Sequence, residues 1–150
     1  MNAKSCFFIG HRNTDPFIVP VLSDAIEHYI LDLHVRYFYV GHYGSFDRLV
    51  EGAVIAAKKR HPEIMLYRVL AYHPSERQAD LPKGYDGSCY PEGMETVPKQ
   101  FAIDKVNRLM IDRCDCLIAY ATHPASNTCK FIEYAKRKGT VLIKNLGDYL

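Results

Sequence analysis

Residues 5–12 read Ser5-Cys6-Phe7-Phe8-Ile9-Gly10-His11-Arg12, a short apolar run that stops at a glycine. Such a run, without apolar–polar alternation, predicts a strand buried on both faces. Asp15-Pro16 then supply an N-cap and a first-turn proline. Val19, Leu22, Ile26, Tyr29, Ile30 and Leu33 follow at helical spacing. Val35–Val40 (VRYFYV) is a second apolar run, closed by Gly41. Two buried strands joined through a helix form a parallel pair, because parallel neighbours need a long crossover.

The same alternation continues to the end of the chain. Phe46–Arg60 reads as a helix with Lys58, Lys59 and Arg60 at its C-terminus, where cations suit the helix dipole. Ile64–Tyr72 reads as a strand, Pro98–Asp112 as a helix, Cys116–Tyr120 as a strand, Asn127–Lys138 as a helix and Thr140–Lys144 as a strand. The pattern predicts one α/β domain over residues 1–150 with a Rossmann-like, doubly wound architecture. Its sheet is expected to hold five mainly parallel strands in the order 3-2-1-4-5, with helices on both faces. Phe7, Phe8, Phe38 and Phe101 are expected in the core. His73–Val97, rich in Pro and Gly, shows little regular pattern and reads as a long loop: a lid, binding loop or interface arm.

Bulk properties narrow the function. The chain has 150 residues, 48% hydrophobic and 24% charged, with a net charge of +2. That composition is globular, and the near-neutral balance argues against a dedicated nucleic-acid-binding role. No apolar run reaches the ~20 residues of a membrane helix, and the N-terminal residues lack a signal-peptide pattern. The five cysteines, Cys6, Cys89, Cys114, Cys116 and Cys129, fit neither a zinc ribbon nor a disulfide framework. They read as small buried hydrophobes of a reducing, cytoplasmic compartment. Trp is absent, whereas Tyr numbers 11 and His 7.

In open α/β sheets, ligands bind beyond the carboxyl ends of the strands. Gly10-His11-Arg12 follows the first strand, Gly41-His42-Tyr43-Gly44-Ser45-Phe46-Asp47 the second and His73 the third. The fourth ends at Tyr120 and leads to His123 and then Ser126-Asn127-Thr128. Four of the seven histidines are thereby expected on one edge. Gly10, Gly41 and Gly44 allow close backbone approach. Ser45 and Ser126-Asn127-Thr128 open helices whose free N–H groups attract anions, although each also suits a simple capping role. Arg12 adds a guanidinium for phosphate or carboxylate. Tyr43, Phe46, Tyr85, Tyr90 and Tyr120 lie where a ring could stack. The glycine pattern matches neither the dinucleotide fingerprint nor the Walker loop, and no metal-ligand spacing is recognisable, so no cofactor or metal is expected.

The segments Cys6–Arg12, Val40–Asp47 and His123–Thr128 resemble small bacterial and phage members of the SLOG superfamily, Rossmann-like nucleotide-ligand domains related to the Lonely Guy phosphoribohydrolases. That resemblance implies a nucleotide or nucleotide-derived ligand, or cleavage of an N-glycosidic bond, and a homodimer or higher homo-oligomer. The Lonely Guy branch carries a P-G-G-x-G-T-x-x-E motif. Here Pro124-Ala125-Ser126-Asn127-Thr128 lacks its glycines, and Phe131 stands at the glutamate position. The branch's Arg-Lys pair falls at Val106-Asn107. Glycosidic cleavage needs a carboxylate beside the developing oxocarbenium ion. Asp47 and Glu133 are the candidates, with Glu76 and Asp112 as lesser ones.

Three readings result. The first is a sensor or ligand-binding domain for a nucleotide-like small molecule. The second is an N-glycosidase or base-transfer enzyme using Asp47 or Glu133. The third is an interaction protein using His73–Val97.

Overall fold

The computed structural model describes residues 2–74 and 81–150. Among the described residues six strands form one parallel sheet: β1 (Lys4–Gly10), β2 (Val35–Val40), β3 (Met65–Val69), β4 (Gly87–Cys89), β5 (Cys116–Tyr120) and β6 (Leu142–Asn145). Their order is β4-β3-β2-β1-β5-β6. The helices are α1 (Val19–Asp32), α2 (Ser45–Arg60), α3 (Ala102–Arg113) and α4 (Asn127–Lys138).

Alternation along β1 explains the layers. Cys6 and Phe8 face one core with Leu22, Ile26 and Val50 from α1 and α2. Phe7 and Ile9 face the other, with Val106, Met110 and Ile132 from α3 and α4. All five residues of β5 are buried, as a central strand covered on both faces requires. The order in which strands are laid down reverses between β1 and β5, which makes their carboxyl ends the switch point.

The expected five strands become six. The extra strand, β4, lies within His73–Val97 and extends the sheet beyond β3. Gly87-Ser88-Cys89 has no hydrophobic pattern to announce it. Its neighbour Asp86 holds it in place: Oδ2 accepts the Leu66 N–H at 2.8 Å and pairs with Lys58 Nζ at 2.5 Å. The Asp86 N–H in turn donates to the Leu66 carbonyl. The other five strands keep the expected order among themselves.

Local signals hold where they are strongest. Asp15 accepts the Phe17 N–H, but it caps a 3-10 turn, Pro16–Ile18, that leads into α1. Ser126 caps α4 through the Cys129 N–H, and Gly139 ends that helix at φ 70°. Phe101 is a correction: it is 58% exposed, because the turn Lys99–Phe101 precedes α3 and points this ring outward. No helix among the described residues is long and apolar enough to cross a membrane.

Candidate functional site

A cleft of about 440 Å3 opens at the carboxyl ends of β1 and β2, within the size range of small-molecule sites. Two interlocked loops form its base. Ser45 Oγ donates to the Arg12 carbonyl at 2.8 Å and accepts the Thr14 N–H at 2.6 Å. The Ser45 N–H also donates to the Arg12 carbonyl at 2.7 Å. Ser45 therefore fastens the two loops together.

Two glycines make this fit. A Cβ on Gly10 would lie no more than 2.7 Å from three carbons of the Phe46 ring. One on Gly44 would lie 2.8 Å from the Arg12 Cα. Both positions are glycine because another element occupies the space.

Ten of the expected residues line the cleft: Gly10, His11 and Arg12 after β1; Gly41, Tyr43, Gly44, Phe46 and Asp47 around the start of α2; and Asn127 and Thr128 at the start of α4. The first N–H groups of both helices lack intrahelical acceptors and carry the positive end of the helix dipole. Arg12 also lines the cleft, and its guanidinium has no hydrogen-bond or ion-pair partner among the described residues.

The other expected residues lie outside the cleft lining. Tyr120 is buried beneath the loops, stacked on Phe46 with ring centroids 6.4 Å apart. Ser126 is the α4 cap. His123 sits beside His11 at 5.7 Å, outside the cleft lining. His73 lies against Tyr90 in a smaller neighbouring hollow. His42 also leaves the cleft. Its Nε2 is buried without a partner, and burial and the Arg68 charge lower its pKa. Arg68 is itself buried against Glu51 and the Tyr85 ring. The four histidines share an edge but not one cluster. Among the described residues no group of three or more His, Cys, Asp or Glu is arranged to hold a metal ion.

His11 is the histidine whose state is fixed by geometry. Its Nε2 accepts the Thr122 N–H at 3.0 Å, so the ring is neutral with its proton on Nδ1. Burial first, and His123 second, lower its pKa. The ring thereby ties the β1 loop to the β5 loop.

Asp47 is one of two carboxylates that line the cleft, the other being Asp104. Asp47 sits in the first turn of α2, and its Oδ2 accepts the Tyr43 N–H at 3.0 Å. Desolvation raises its pKa from 3.8 to about 6, against the opposing pull of that N–H, Arg48 and Arg68. A carboxyl in that range exchanges its proton near neutral pH. Glu133 faces elsewhere: it is well exposed on α4 and pairs with Lys136 at 3.5 Å. Asp112 bonds Tyr134 and Lys138. Glu76 lies outside the described residues.

One wall was not legible. Lys99, Gln100, Ile103, Asp104 and Asn107, on α3 and the turn before it, line the cleft together with Phe131 of α4 and Tyr72 after β3. Ile103, Asp104 and Asn107 share one stripe of α3, and Gln100 lies in the turn just before it. Nothing in the sequence says that this stripe faces a cleft rather than open solvent.

No protein-family model matches the chain, and no curated protein matches it.

Proposed function

We propose that the protein binds a nucleotide or a nucleotide-derived small molecule at the carboxyl edge of its sheet, as a ligand-binding or sensing domain of the SLOG type. The observation that carries this reading is the convergence of the α2 and α4 N-termini and the unpartnered Arg12 on one cleft. Arg12 and the helix N–H groups serve a phosphate, and Tyr43, Tyr72 and Phe131 offer ring surfaces. Calorimetric titration with nucleoside monophosphates, cyclic nucleotides and ADP-ribose tests it. Micromolar binding that is lost in Arg12→Ala is the expected result, and silence across the panel would sink it.

The second reading is an N-glycosidase or base-transfer enzyme, favoured by the position and raised pKa of Asp47. In that role Asp47 protonates the departing base or activates the attacking water. Base release from nucleoside monophosphates, abolished in Asp47→Asn, is its signature. Glu133 has no part in this reading, because it lies outside the cleft.

The proposal extends to a homodimer or higher oligomer in the cytoplasm. Five free thiols fit a reducing compartment. Light scattering coupled to size-exclusion chromatography measures the oligomeric state.

A further inference from the structure

We propose that His11, as a neutral ring, donates a hydrogen bond from Nδ1 to a phosphate oxygen of the ligand. This assignment rests on the nucleotide-binding reading and adds a named donor to it.

The hydrogen bond that fixes the ring also fixes what the ring can offer. His11 Nε2 accepts the Thr122 N–H at 3.0 Å, and the Thr122 hydroxyl oxygen lies 3.3 Å from the same nitrogen. A backbone N–H can only donate, so the Nε2 lone pair is occupied and the single proton of the neutral imidazole sits on Nδ1. A doubly protonated ring would set a second N–H against that of Thr122. Nδ1 makes no hydrogen bond among the described residues, and burial does not close it off. It is a donor without an acceptor, on a side chain that lines the cleft. While Thr122 holds the Nε2 lone pair, the ring has no free site to take a proton, so it acts here as a donor and not as a base.

The neighbouring groups decide which acceptor. Arg12, the next residue, brings an unpartnered guanidinium, and the α4 N-terminus enters the same cleft at Asn127 and Thr128. A fixed N–H, a cation and a helix N-terminus all seek an acceptor oxygen, and one carrying negative charge suits all three. An amine or amide N–H in that place would face the Nδ1 proton. Ligand and fold also meet on this ring. Donation from Nδ1 to an anion makes Nε2 more basic and tightens its bond to Thr122.

The test uses whichever 5'-monophosphate of adenosine, cytidine, guanosine or uridine the full chain binds most tightly by calorimetry. In proton–nitrogen NMR spectra at pH 7, the His11 Nδ1-bound proton is expected to move downfield as this nucleotide saturates the protein. Two variants separate the ligand contact from the loop tie. Asparagine places its amide near the Nδ1 position, whereas glutamine places its amide near Nε2. His11→Asn should keep an affinity close to wild type while melting earlier, because Thr122 loses its acceptor. His11→Gln keeps that acceptor and should melt like wild type but bind about ten-fold or more weakly. The wild-type spectrum needs no variant and decides alone where one fails to fold. An Nδ1 proton unmoved at saturation, His11→Gln binding as tightly as wild type, or His11→Asn binding no better than His11→Gln overturns this inference while leaving the proposed function intact. Absence of binding by every nucleotide overturns both.

Discussion

Replacing Asp47 by Asn should make the protein more stable, and only above a definite pH. Burial raises the Asp47 pKa from 3.8 to about 6. Between these values the folded protein keeps a proton that the unfolded chain has released. Stability contributed by this group is therefore complete below pH 3.8, falls as pH rises through the window and reaches its minimum above pH 6. The full penalty for holding the ionised carboxyl is about 2–3 kcal/mol. Asparagine has nearly the same shape and keeps an oxygen for the Tyr43 N–H, but it never ionises. Urea denaturation of wild type and Asp47→Asn across pH 3.5–8 should give curves that coincide at the acid end, diverge between pH 4 and 6 and run parallel above. The variant should be ahead by about 2 kcal/mol at pH 7. Parallel curves across the whole range, or a variant weaker at every pH, would refute desolvation as the source of the shift. The expected gain also has a functional meaning. A group kept ionised at a cost to folding is one that stability alone does not favour.

Other substitutions probe the loops. Gly10→Ala drives a methyl into the Phe46 ring and should cost at least about 2 kcal/mol by chemical denaturation. Adding Phe46→Leu should recover part of that loss. Ser45→Ala leaves the Thr14 N–H without its acceptor and should cost about 1–3 kcal/mol in the same assay. His11 should appear as the neutral Nδ1–H tautomer in ring nitrogen NMR spectra at pH 7. Its folded pKa is lowered from 6.5, so the stability it contributes is present above pH 6.5 and lost as pH falls through the folded value, when the protonated ring can no longer accept from Thr122.

Much of the fold is legible locally. β2 and β5 run as expected because their buried, β-branched and aromatic residues signal strand within a few positions. α4 begins at a serine cap and ends at a left-handed glycine, both readable in the chain. β4 escapes because its three residues carry no pattern and are held by Asp86 from outside. Phe101 misleads because an aromatic residue at a helix entrance looks like core until the turn that orients it is known.

The sequence by itself determined the alternation of strand and helix, the glycine-terminated loops after β1 and β2, and the edge where a ligand would sit. These follow from short-range periodicity and from the rule that parallel strands expose their carboxyl ends together. Only the tertiary structure decided which residues on that edge face the cleft. It turned Ser45 into a fastener, stacked the buried Tyr120 on Phe46, put His42 within the field of Arg68 and brought Gln100, Asp104 and Asn107, from α3 and the turn before it, into one cleft with Arg12 and Asp47. The physical reason is that side-chain direction and desolvation depend on which helix packs over which strand. Those contacts join residues far apart in the chain, and no local pattern encodes them.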